Sequence, residues 1–298
     1  RSVSRGLGDV YKRQNYYGGA GVGIGDFDND GLDDIFLAAN LIDDKIYKNL
    51  GNFQFQDKTK LSGIINNGSW STGVTVADVN NDGLLDIYVS CELYDDAPFL
   101  RTNKLYINKG DFKFVESAKK WGVDVDRRTR HSVFFDYNND GLLDLYLLNH
   151  PPNTGNFSPF FGSDMTLPEY NLQLFENKGD HFVDVTEKAG LNRAGFPNAA
   201  VIGDFNKDGW ADIYVANDFD APDFLYFNNK DGSFSYKTES SLRHTSFYSM
   251  GVDAADINND SYLDLMVLDM TAEDNFRLKS NMSGMNPDSF WNVVNGGG

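Results

Sequence analysis

Apolar positions along this chain come in short runs bounded by Gly, Asn and Asp, and the runs come in pairs. GVGIGDF, STGVTVADV, HSVFFDY, NAAVIGDF and GVDAADI are each followed, across one acidic stretch, by DIFLAAN, DIYVSCEL, DLYLLNH, DIYVAND and DLMVLDM. Runs this short, rich in β-branched and aromatic residues, predict buried strands. A second pattern lies between consecutive pairs: KIYKNLGNFQFQDKT from Lys45, KLYINKGDFKFVESA from Lys104, LQLFENKGDHFVDVTEKAGL from Leu172 and FLYFNNKDGSFSYKT from Phe224. Each reads as an alternating strand, a turn of Asn, Gly and Asp, and a strand led by Phe53, Phe112, Phe182 or Phe234. Such turns supply the positive φ of tight hairpins.

The acidic stretches align without gaps as DFDNDGLDDIF from Asp26, DVNNDGLLDIY from Asp78, DYNNDGLLDLY from Asp136, DFNKDGWADIY from Asp204 and DINNDSYLDLM from Asp256. Their spacings are 52, 58, 68 and 52 residues. Four strands per repeat at this period predict an all-β fold, a β-propeller of four-stranded antiparallel blades. A stacked solenoid fits less well because its repeats are shorter. The blades run over 18–66, 69–124, 129–191, 197–243 and 247–270, the last only begun. About four and a half blades, a truncated ring, are therefore expected over 15–276. Residues 277–298 read as a connector towards a next blade, with a short helix near Asn275–Asn281. Residues 1–14 are set aside, because SRGLGDVYKRQ resembles the translation of a sequencing adapter rather than native protein.

Each loop carries side-chain oxygens at positions 1, 3, 5 and 9 and a backbone carbonyl at position 7. The candidate ligands are Asp26, Asp28, Asp30, Leu32 and Asp34 in the first loop and Asp78, Asn80, Asp82, Leu84 and Asp86 in the second. The third offers Asp136, Asn138, Asp140, Leu142 and Asp144, and the fourth Asp204, Asn206, Asp208, Trp210 and Asp212. The fifth offers Asp256, Asn258, Asp260, Tyr262 and Asp264, but Ser261 replaces the glycine that the others place at position 6. Three or four carboxylates on one short loop repel each other without a cation, and flexible all-oxygen ligation selects Ca²⁺ over Mg²⁺. Position 12 is Leu37, Val89, Leu147, Val215 or Val267, so these are not EF-hands, which require a bidentate Glu there. Up to five structural Ca²⁺ ions are expected. The alternative is ordinary Asx turns without metal.

The charge balance agrees. The chain has 44 acidic and 26 basic residues, a formal charge of −18. That surplus argues against a nucleic-acid partner, which needs clustered Lys and Arg. The one cysteine, Cys91, excludes an internal disulfide framework, and its apolar strand predicts a buried, inert thiol. No apolar run reaches the roughly 18 residues of a membrane span.

His131, His150, His181 and His244 show no zinc spacing, and no nucleophile elbow or Walker loop is present, so no catalytic set is expected. Binding is the stronger expectation. In a blade, the loops that join the first strand to the second lie on one face, and those that join the second to the third lie on the other. The insertions 92–103 and 150–171 belong to the second class. They offer Tyr94, Phe99, Arg101, His150, Phe157, Phe160, Phe161 and Tyr170 as a candidate ligand face. These aromatics could instead fold the insertions back onto their blades.

The loops resemble the calcium loops of FG-GAP/VCBS repeats, as in integrin α-chain propellers. GVGIGDFDNDGLDDIF, FFDYNNDGLLDLYLLNHP, FVDVTEKAGL and LDMTAEDNFRLKSNMSGMNPDSFWNVVNGG resemble bacterial VCBS-repeat proteins of the ASPIC/UnbV, cartilage acidic protein type. The resemblance implies an exported protein, extracellular, periplasmic or on the outer surface, with a surface glycan or an extracellular protein as partner. An adhesion or ligand-binding role is the first expectation. A calcium-dependent polysaccharide lyase or glycosidase and a purely structural stalk module are the alternatives.

Overall fold

The computed structural model describes residues 19–270, apart from 41, 95–96, 152–167, 219–220 and 247. The first sheet comprises β1 (Val22–Gly25), β2 (Asp34–Leu37), β3 (Lys45–Asn49) and β4 (Phe55–Asp57), and the second β5 (Trp70–Ala77), β6 (Asp86–Glu92), β7 (Lys104–Asn108) and β8 (Phe114–Glu116). The third holds β9 (Arg128–Phe135), β10 (Asp144–His150), β11 (Gln173–Asn177) and β12 (Phe182–Asp184). The fourth holds β13 (Pro197–Gly203), β14 (Asp212–Asn217), β15 (Phe224–Asn228) and β16 (Phe234–Tyr236), and a hairpin of β17 (Ser249–Ala255) and β18 (Asp264–Asp269) follows. Within each sheet the strands pair antiparallel in chain order. The first strands β1, β5, β9, β13 and β17 lie side by side, each against the next. This is an all-β, propeller-like fold of four complete blades and the first hairpin of a fifth.

The hydrophobic core is divided among the spaces between sheets. One cluster joins Phe27, Phe36 and Ile46 of the first sheet to Val74, Val89 and Phe114 of the second. A second joins Tyr88 and Leu105 to Leu145, Leu147 and Phe182, and a third joins Tyr146 and Leu174 to Ile213, Phe224 and Phe234. Each large side chain buried there contributes about 1.5–3 kcal/mol. Inner sheets are covered on both faces, which is why all of β6 and β10 is buried, whereas β2 alternates. The glycines of GVGIGDF answer the close approach of the first strands. A Cβ on Gly21 would lie 2.6 Å from the backbone nitrogen of Val74.

The outer faces of the first and last sheets expose the repeat-equivalents of these core residues. Phe53 is 96% exposed where its equivalent Phe112 is 3%, and Met266 is 61% exposed where Phe36 is fully covered. The last strand of the first two sheets also begins later than the sequence suggests. Phe53 and Phe112 sit in the turn with φ of 57° and 56°, and Phe55 and Phe114 lead the strands. In these hairpins a residue with φ above zero precedes each phenylalanine, Asn52 and Asp111, which shifts the strand start by two. Three single-turn helices, α1 (Thr59–Ser62), α2 (Ala118–Trp121) and α3 (Thr238–Ser241), follow the fourth strands. Four residues carry too little periodicity to be read from sequence.

In the second, third and fourth sheets one asparagine at the end of the third strand ties the sheet to its predecessor. The Asn108 Nδ2 donates to the carbonyl of Leu85 in its own sheet at 3.0 Å and of Phe27 in the preceding one at 2.9 Å. Asn177 does the same with Leu143 and Val79, and Asn228 with Ala211 and Tyr137. Each Oδ1 accepts the N–H two residues on, which starts the hairpin turn. Asn177→Ala would strip partners from buried carbonyls in two sheets and should lower stability by about 2–3 kcal/mol in a urea titration. Asn29→Gly, which removes an exposed bond and leaves the positive φ unstrained, should cost less than about 0.5 kcal/mol.

Candidate cation-binding loops

All five loops share one hydrogen-bond pattern. The position 1 aspartate accepts the N–H of position 5 on one oxygen and of position 6 on the other, at 2.7–3.1 Å. Position 5 accepts the N–H of position 7. Wrapping the chain this tightly requires positive φ at positions 4 and 6, found at Asn29 and Gly31 and at every equivalent. Ser261 adopts the same φ, 68°, and the fifth loop keeps the pattern. A side chain held there costs on the order of 1 kcal/mol.

Position 9 is a structural residue as well as a candidate ligand. Asp34 accepts the N–H of Phe27 at 2.9 Å on one oxygen and of Asn49 at 2.8 Å on the other. Asp86, Asp144 and Asp212 bridge the same two points in their sheets, and all four are buried. The sequence marked position 9 for its oxygens. Its partnership with the third-strand asparagine went unseen, although that asparagine recurs in YKN, YIN, FEN and YFN. Neighbouring loops also touch: the Asn29 Nδ2 donates to the Gly83 carbonyl at 3.0 Å, and Asn81 to Gly141 at 3.3 Å.

The first loop concentrates the most charge. Oxygens of Asp26, Asp28 and Asp34 lie within 4.8 Å of one another, and the Asp28 Oδ1 is buried without a hydrogen-bond partner. The Lys48 ammonium pairs with Asp28 and, at 2.7 Å, with Asp30. The other loops carry Asn80, Asn138, Asn206 or Asn258 at position 3, and each Oδ1 accepts the position 5 N–H.

Burial raises the carboxyl pKa of Asp34 and Asp212, and that of Asp86 and Asp144 to about 7, against the opposing pull of two backbone N–H donors. With a folded pKa above the unfolded 3.8, protonation favours the folded chain, and that stability is lost as pH rises through 7. In calcium-free buffer the melting temperature should therefore climb as pH falls from 8 towards 5, because the gain from two carboxyls with pKa about 7 exceeds the opposing loss from buried His150 below pH 6.5. A decline over that interval would contradict this.

On the opposite face, Phe99 lies on a 3₁₀ turn, Pro98–Leu100, and is 75% exposed. Leu93 and Tyr94 enter this insertion with φ of 60° and 55°, and the Arg101 Nε donates to the Asp126 carbonyl. Tyr170 is half-buried. His150 is buried, with its Nε2 2.9 Å from the Pro197 carbonyl and its ring edge-on to Phe196, and burial pushes its pKa down to about 3. Phe157, Phe160, Phe161 and the stretch Asn275–Asn281 lie outside the described residues. Cys91 is buried beneath its strand, and burial raises its thiol pKa to about 11. An open groove of about 580 Å³ along the first strands is lined by Ile24, Val74, Val76 and Val133 among others, with His131 at its side.

No curated protein matches the chain. Among solved structures it is similar to an Agrocybe aegerita lectin that recognises non-reducing terminal N-acetylglucosamine, with 17% identity, 83% of this chain and 73% of the other covered, and a TM-score of 0.38. It is also similar to the V. cholerae biofilm matrix protein Bap1, with 14% identity, 72% and 27% covered, and a TM-score of 0.33. Residues 15–89, 162–215 and 204–267 match the FG-GAP-like repeat. With more than half of its length matched and the loops set between the first two strands of every sheet, the chain belongs to the FG-GAP-like repeat family.

Proposed function

We propose that this chain is a calcium-stabilised repeat module whose opposite face binds a surface glycan or an extracellular protein outside the cell. Within the family we place it nearest the VCBS-repeat proteins of ASPIC/UnbV type, on the motifs around its first, third and fifth loops. The observation that carries the calcium reading is the Asp28 Oδ1, buried without a donor beside Asp26 and Asp34. Asp26, Asp28, Asp30 and Asp34, with the Leu32 carbonyl, would hold the ion in the first loop, and the equivalent residues would do so in the others. An ionised carboxylate has about four lone-pair sites, so position 9 can bridge two N–H groups and still face a cation. The ion's task would be to neutralise crowded carboxylates.

Extracellular calcium modules bind at about 10⁻⁴–10⁻³ M. At ten times the dissociation constant each site adds about 1.4 kcal/mol. Ca²⁺ should therefore raise the melting temperature above its value in EDTA by about 2–4 °C per occupied loop, and Mg²⁺ should do so much less. A cooperative melt that calcium leaves unmoved refutes the reading.

Recognition is assigned to the insertions on the other face. An exposed Phe99 beside Arg101, on a segment entered through two strained residues, supports this placement. A binding role is preferred to catalysis because His150 and Cys91 are committed to packing. Screening on glycan and matrix-protein arrays should give binding that Phe99→Ala weakens at least about tenfold. Cleavage of an acidic polysaccharide would favour the lyase alternative instead.

A further inference from the structure

The residue just before the third-strand asparagine differs in every sheet: Lys48, Ile107, Glu176 and Phe227. In the first sheet it brings a cation into the loop. Lys48 contacts Asp28 and Asp30, which are positions 3 and 5 of the ligand set. Its ammonium is held from the next sheet too, 5.6 Å from the ring centroid of Phe112, which is itself locked in the core between sheets. In the third sheet the corresponding residue has the opposite sign. Glu176 accepts a bond from the Asn138 Nδ2 at 3.3 Å, and Lys178 pairs with it at 2.5 Å. Ile107 and Phe227 bring no charge.

We propose that Lys48 is the resident counter-ion of the first loop and competes with a bound divalent cation for Asp28 and Asp30. The first loop is the one with aspartate at position 3, so it carries one carboxylate more than its sisters, and Lys48 offsets that surplus. The compensation is partial, because the Asp28 Oδ1 keeps no donor while the ammonium is in place. A divalent ion drawing on Asp28 and Asp30 has to displace the ammonium or bind beside a like charge. The first loop then fills at higher calcium concentration than the second, which has three aspartates and, among the described residues, no ammonium paired with them. It also stays ordered when calcium is scarce. The competition rests on the calcium reading above; the counter-ion role does not.

The test uses the whole chain as wild type, Lys48→Met and Lys48→Arg, melted in EDTA and titrated with Ca²⁺ in a calorimeter. In EDTA, Lys48→Met should melt about 2–4 °C below the wild type, and Lys48→Arg should melt with it. With Ca²⁺, Lys48→Met should tighten one class of site about tenfold, since removing a like charge within about 4–6 Å shifts such an equilibrium by a unit or more. Equal melts of wild type and Lys48→Met in EDTA overturn the counter-ion role. Calcium binding that Lys48→Met leaves unchanged overturns the competition alone. No calcium binding to either protein removes the competition together with the calcium reading.

Discussion

Burying a carboxylate is costly, and this structure offsets part of that cost with hydrogen bonds at the same place in every complete sheet. Asp34, Asp86, Asp144 and Asp212 sit beneath their loops, each accepting one N–H from the start of the loop and one from the end of the third strand. In the second, third and fourth sheets the residue donating the second N–H is the asparagine whose amide reaches back to the preceding sheet. Loop, sheet and stack are therefore coupled through one aspartate–asparagine pair. A change in the charge of that aspartate is felt in the order of the loop and in the contact between sheets.

This coupling explains why the acidity of the chain is concentrated where it is. The loops crowd carboxylates onto one face, and among the described residues relief comes from backbone N–H groups, from the Asn138 amide on Asp140, from Lys48 in the first loop and from Lys230 near Asp208 in the fourth. A cation at these loops would act on stability through the buried aspartates without touching the apolar core.

The division of the core between sheets has its own consequence. Each sheet presents one apolar face to its predecessor and another to its successor, so no sheet is complete alone. The exposed Phe53 and Met266 are the halves of that same interface left without a neighbouring sheet among the described residues. Stability in such an arrangement builds from nearest-neighbour contacts.

The repeat of loop and flanking strands was legible in the sequence, because period and residue type coincide there. Asp26 and its equivalents, the glycines at position 6 of the first four loops and the apolar strands each follow from local turn chemistry and residue type. The position of Phe53 was not legible, since one residue more or less in a hairpin decides it, nor were the single-turn helices, whose four residues carry too little periodicity. The role of Asn108, Asn177 and Asn228 was also hidden. An asparagine at the head of a hairpin turn reads as a turn former, and its second bond, to a carbonyl dozens of residues away, exists only once two sheets have met. Likewise Lys48 looks in the sequence like an ordinary strand lysine. Only the tertiary structure brings it, across the width of a sheet, onto Asp28 and Asp30 and beneath Phe112 of the next. The sequence by itself determined which groups carry charge and which turns they make. Which charges meet was decided by the packing of one sheet on another, because electrostatic contacts depend on distance in space and not along the chain.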